Sequence, residues 1–184
     1  MATDPNALKY TYEHYVHFPT DGKRHEIVDG EHFVNPAPST RHQYALHELH
    51  AQLREQIQKP KLGIIFAAPV DVQLSDFTVL QPDLVVVLND RRKIVTDPKI
   101  DGAPSLVVEV ISPSSPNFDR TTKKQAYQLA GIPEYWIVDP IERTVEQFAL
   151  KDGRYETLPH NKETVALTIL NDVKVVVNEL WFNG

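Results

Sequence analysis

The sequence predicts a mixed α/β domain, a central mixed β-sheet flanked by helices and extended by β-hairpins. Two nearly all-apolar runs, Leu84–Leu88 and Leu106–Ile111, read as strands buried on both faces, as in a sheet covered by helices. Two segments, about 40–58 and 119–130, repeat apolar residues at helical spacing. Asp-Gly pairs at 29–30 and 152–153 sit between strand-like runs, the signature of tight hairpins.

Along the chain, residues 1 to about 22 are weakly patterned, with a short helix around Thr11–Val16. Asp29-Gly30 then joins strands His25–Val28 and Glu31–Val34. Ser39-Thr40 can cap a helix running to about Gln58, because Leu46, Leu49, Leu53 and Ile57 form one stripe, with His42 a turn earlier. Gly63–Ala68, Val70–Leu74, Asp83–Leu88 and Leu106–Ile111 are short, rich in β-branched residues and bounded by turn formers, so they read as strands. A helix from Asp119 to Ala130 stops at Gly131 with Pro133 beyond. Strands follow at Tyr135–Val138, Thr144–Leu150 and Tyr155–Leu158, then β-prone stretches at 165–170 and 173–177.

The 184 residues fit one domain, and Leu, Ile, Val and Phe together make up about 29% of them, enough for a sizeable core. No internal repeat and no linker interrupts residues 1–184. No apolar run approaches the roughly 20 residues of a membrane span. The N-terminus lacks a signal-peptide pattern, so a cytoplasmic location is expected. Without cysteine, disulfides, thiolate metal sites and cysteine nucleophiles are excluded, which leaves oxygen and imidazole as ligands. A net charge of −6 confines any nucleic-acid contact to a local basic patch.

Three charged residues sit where apolar ones are expected. Asp83 opens a buried strand, and Glu109 lies inside Leu106-Val-Val-Glu-Val-Ile111. Desolvating a carboxylate costs several kcal/mol unless a cation pairs with it. On the second helix Asp119, Lys123, Tyr127 and Ala130 share one face, which aims Lys123 at the sheet and leaves Lys124 and Gln128 toward solvent. Two carboxylates beside an ammonium suit metal-assisted phosphodiester hydrolysis, with hard Mg²⁺ or Mn²⁺ as the ion.

Pro82-Asp83 followed by Glu109-Val110 resembles the PD-(D/E)xK nuclease superfamily. The segments Glu26–Glu31, Gln81–Val87, Val108–Ser114, Asp119–Tyr127 and Gly131–Pro140 are similar to the Uma-two family of restriction-endonuclease-like proteins, over about residues 10–182. The resemblance implies a restriction-endonuclease-like core and a Mg²⁺- or Mn²⁺-dependent endonuclease acting on nucleic acid, DNA first. It implies Asp83 and Glu109 as metal ligands, the Val110 carbonyl as a third, and Glu26 as an auxiliary acid. One departure stands out: the superfamily lysine falls two residues after the glutamate, where this chain has Ile111. In this branch the resemblance moves it to Lys123, as activator of water or stabiliser of charge. Analogy with enzymes that cut both strands implies a homodimer. The residues alone also admit a non-catalytic nucleic-acid-binding or protein-interaction module that retains the acidic site, and a hydrolase of small phosphorylated substrates.

Other signals read as structure. His42 reads as a core histidine on its helical stripe. His47-Glu-Leu-His50 is one residue short of the zinc-protease spacing. Arg91-Arg-Lys93, with Lys59, Lys61 and Arg120, reads as solvated before it reads as a phosphate-binding edge. Tyr135-Trp136 reads as core packing, and Ser112 belongs to a turn with no nucleophile elbow.

Overall fold

Strand β6 (Leu84–Leu88) shows how the layers form, because its residues alternate between two cores. Leu84 and Val86 pack with the helix α2 (Thr40–Leu53), while Val85 and Val87 pack with Val72 and Ile100 of a second sheet. The computed structural model describes residues 9–35, 37–112, 116–160 and 162–182.

The main sheet has six strands. In chain order they are β3 (Gly63–Ala67), β6, β8 (Leu106–Val110), β9 (Glu134–Asp139), β10 (Thr144–Lys151) and β11 (Arg154–Thr157). Their spatial order is β11-β10-β9-β8-β6-β3, with β8 and β9 parallel and the other pairs antiparallel. The crossover between β8 and β9 carries the second helix, as a parallel pair requires. Leu46, Leu49, Leu53 and Ile57 cover one face together with Trp136, Val138 and the C-terminal Val165, Val175, Leu180 and Trp181. Tyr127, Ile132, Tyr135, Ile137 and Phe148 fill the other.

The second sheet, in the order β2-β1-β5-β4-β7, comprises β1 (Arg24–Val28), β2 (Glu31–Asn35), β4 (Val72–Ser75), β5 (Thr78–Leu80) and β7 (Ile100–Asp101). Asp29 and Gly30 both have positive φ, 47° and 80°, as the predicted tight hairpin demands. A Cβ at Gly30 would stand 2.6 Å from Cβ of Lys9, so glycine is required there on two counts.

The mixed α/β class and the main elements match expectation, with several corrections. Val72–Ser75, within the expected strand Val70–Leu74 but for its last residue, belongs to the second sheet, and β5 and β7 were not anticipated. The β-prone tail forms its own two-stranded ladder, β12 (Thr164–Ala166) with β13 (Lys174–Val176), leading into a 3₁₀ turn over Val177–Leu180. Both long helices carry a wide π turn: Arg54–Gln58 closes the first, and Asp119–Lys123 lies between α3 (Pro116–Phe118) and α4 (Lys124–Leu129) in the second. The short helix near Thr11 is α1 (Tyr12–Tyr15). Lys124 and Gln128 are half-buried rather than solvated. Lys124 Nζ lies 3.6 Å above the Phe148 ring, and Gln128 Oε1 accepts from the Tyr155 amide. Among the described residues no helix is long and apolar enough to cross a membrane.

Candidate functional site

The four predicted side chains converge from four elements of the fold. Leu84 pairs with Val108, and one further step of that register sets Asp83 opposite Glu109. Period-two alternation turns Glu109 away from the α2 core, toward the second helix. There the face shared by Lys123 and Tyr127 is buried against it. Glu26 arrives from β1 of the second sheet and is fully buried.

Lys123 is the hub. Its Nζ lies 3.0 Å from Glu26 Oε1, 3.0 Å from Glu109 Oε1 and 3.8 Å from Asp119 Oδ1. Tyr127 donates its hydroxyl to the same Glu109 oxygen at 2.5 Å. The Gln81 amide and the Asn35 side chain both donate to Glu26. Asp83 is held as tightly: Arg24 NH1 donates to Oδ1 at 2.7 Å, the Val110 amide donates to Oδ2 at 2.9 Å, and His42 Nε2 stands 3.0 Å from Oδ2. Thus Val110 contributes its amide to Asp83. A cavity of about 20 Å³, room for one small occupant, lies between Asp83, Glu109, Asp119, Lys123 and Arg24.

Four carboxyl groups therefore share one buried region with one ammonium and one guanidinium, so their full ionisation would leave negative charge in excess. Burial, reinforced by the neighbouring carboxylates and only partly offset by Lys123, pushes Glu109 up to about 8. Burial likewise raises Asp119 to about 6 against the pull of Lys123. Asp83 goes the other way: its burial is outweighed by His42 and Arg24, which hold it at about 2. Burial disfavours the Lys123 ammonium, but Glu109, Glu26 and Asp119 outweigh it and keep the group charged far above neutrality.

A divalent cation fits this donor set. Carboxylate oxygens are the hard ligands that Mg²⁺ and Mn²⁺ take, and a cation would offset the negative charge that full ionisation of the cluster leaves in excess. Among the described residues no group of three or more His, Asp or Glu side chains stands arranged to hold an ion. A cation here would rest on Asp83 and Glu109, with main-chain or solvent oxygens completing its shell.

Several members of the cluster were not among the predicted site residues. Arg24 is two residues before Glu26, so strand periodicity puts both on one face. Asp119 and Tyr127 lie on the Lys123 face, a pattern legible in the sequence. His42 was expected in the core; it is buried, yet its imidazole meets Asp83. Other basic residues stay outside. Arg120 pairs with Glu146 and Asp139, Lys59 pairs with Glu55, and Arg91 donates to the Ala103 carbonyl. Tyr135 and Trp136 are buried in the core as expected.

Residues 12–178 match the family model Uma2, whose description is "Putative restriction endonuclease". Among solved structures, the chain is similar to "a putative nuclease belonging to DUF820" from Anabaena variabilis, with a TM-score of 0.77 and 18% identity over 92% of this chain and 96% of that one. At that identity the likeness speaks for the fold. Among curated proteins, none matches the chain.

Proposed function

The chain belongs to the Uma2 family, and from that membership we propose that it is a metal-dependent endonuclease that hydrolyses phosphodiester bonds in DNA. The observation that carries this reading is the placement of Lys123 Nζ 3.0 Å from Glu109, with Ile111 standing where the superfamily pattern has its lysine. The helix supplies the ammonium that the strand lacks.

In this reading Asp83 and Glu109 hold Mg²⁺ or Mn²⁺, with the Val110 carbonyl as a further ligand. The ion supplies polarisation of the phosphoryl oxygen and a lowered pKa for the attacking water. The chain's own groups do the rest. Lys123 keeps its proton and places positive charge where the phosphorane-like transition state gains negative charge. Tyr127 and Lys123 together fix the Glu109 carboxylate, and Glu26, anchored by Gln81 and Asn35, fixes Lys123. Among the described residues Arg24 is the one guanidinium at the cluster, and it is the natural partner for a phosphate oxygen once a cation takes its place on Asp83.

Cleavage of plasmid, single-stranded DNA and RNA with Mg²⁺ or Mn²⁺, beside EDTA, tests the proposal. We expect metal-dependent cutting that disappears in Asp83→Ala, Glu109→Ala and Lys123→Ala. Cutting that survives Asp83→Ala overturns the site assignment. A second reading, a nucleic-acid-binding module without turnover, is favoured by one observation: both Asp83 oxygens already have partners. Salt-sensitive binding with no cleavage by folded, metal-loaded protein would select it.

A further inference from the structure

Beside the acidic cluster lies a second, much larger cavity of about 500 Å³ that shares Arg24 and Asp83 with the small one. Its size falls within the roughly 300–1,000 Å³ usual for small-ligand pockets. Its walls divide by chemistry. Arg24 stands at the end next to Asp83, 2.7 Å from it, and Lys23, just before β1, also lines the cavity and pairs with Asp21. The outer face of α2 contributes Gln43, His47 and His50. Pro38, Leu46 and the Ala67–Pro69 segment supply an apolar floor.

We propose that this cavity seats one unpaired nucleotide of the substrate, next to the bond that is cut, so that the enzyme acts on single strands or on a nucleotide turned out of a duplex. The inference rests on the nuclease reading and names its substrate class. A paired duplex keeps its bases stacked and offers only phosphates to a surface, so little of it can enter a pocket of this size, whereas an extruded nucleotide enters whole. Arg24 and Lys23 both line the cavity and can receive its phosphate, and the shared Arg24 and Asp83 make the two cavities neighbours. His47 and His50, one helical turn apart on α2, present imidazole rings for stacking, and Gln43 brings an amide that can both donate to and accept from a base edge. Burial, then Arg54 and His47, lower the pKa of His50. This gives a role to the His47-Glu-Leu-His50 spacing that no metal site explains.

The test is equilibrium binding in EDTA, where metal-dependent cutting is off, of a short fluorescent DNA strand, its RNA counterpart and a duplex of equal length. The strands should bind at least tenfold tighter than the duplex. Gln43→Ala with His47→Ala should remove about tenfold of that affinity, the scale of one lost stacking platform. Ala67→Trp, which fills the pocket from an exposed strand position, should do the same, and thermal melting verifies that each variant is folded. Equal affinity for strand and duplex, or folded variants that bind as tightly as the parent, overturns the inference. If strand binding depends on the pocket yet nothing is ever cut, the subsite stands and the nuclease reading falls. If DNA is cut but the pocket variants bind unchanged, the reverse holds.

Discussion

Lys123 is a buried ammonium whose worth depends on its three carboxylate neighbours. Lys123→Ala strands them without a counter-charge, and breaking a buried pair from one side costs about 3–5 kcal/mol. Urea unfolding at pH 8 should show a loss of that order. At pH 5 the loss should be smaller, because carboxyls left alone take up protons; an equal loss at both pH values would contradict the charge argument. The same excess of carboxylates sets a pH dependence for the metal-free protein. Glu109 rises from 4.5 to about 8 and Asp119 from 3.8 to about 6, so within those windows the folded chain holds protons that the unfolded chain has released. Stability from these two groups therefore falls as pH rises from about 5 to 8. Asp83 works with the opposite sign: its stabilisation is present above 3.8 and is lost as pH falls toward about 2. We expect the melting temperature in EDTA to decline between pH 5.5 and 8.5, and Mg²⁺ to flatten that decline by standing in for the protons. A melting temperature in EDTA that is level across this range would refute the excess-charge account.

Each element turns these residues inward for a local reason. On β8 and β6 the alternation that buries Val108 on one face puts Glu109 on the other, and on the second helix the wide turn at Asp119–Lys123 precedes a regular α segment that buries Tyr127. Not every buried acid belongs to the site. Glu134 at the start of β9 is fully buried and accepts from Trp136 Nε1, Gln147 Nε2, the Thr168 amide and hydroxyl, and the Ile169 amide. It ties the C-terminal segment to the main sheet. Glu134→Gln sets a donor against donors, which costs about 1–3 kcal/mol for each group left unpaired. Chemical unfolding should register that cost while Mg²⁺ binding, followed by the metal-induced rise in melting temperature, stays as in the parent; a lost metal response would mean that β9 also positions the site. The helices and the central strands were legible because each is long enough to show its period. Strands β5 and β7, three and two residues long, are too short to show one.

At the scale of the whole molecule, the acidic cluster forms where the two sheets and both helices meet, in a chain whose net charge is −6. Long-range attraction cannot bring a polyanion to such a surface, so binding must depend on a few close cations. Lys23 and Arg24 are the two at the larger cavity. Two phosphate contacts on a single strand correspond to a slope of about −1.4 in log K against log salt. Binding titrations between 50 and 200 mM salt should give a slope of that size, reduced in Lys23→Ala; a slope several times steeper would place the interface on a broader basic surface.

The sequence by itself determined the α/β class, the two amphipathic helices, the Asp-Gly hairpins and the short set of charged residues that do not belong in an apolar core. Those features are local: a period, a turn that needs positive φ, a carboxylate among valines. Only the tertiary structure decided that β1, β2, β4, β5 and β7 form a second sheet of their own, because pairings such as Ile27 with Val79 and Val72 with Ile100 join segments far apart in the chain. It likewise decided that His42 and Arg24 stand on Asp83. A histidine on a helical stripe and an arginine at a strand end look the same whether they meet solvent, a core or a carboxylate, and what they meet depends on how the layers close.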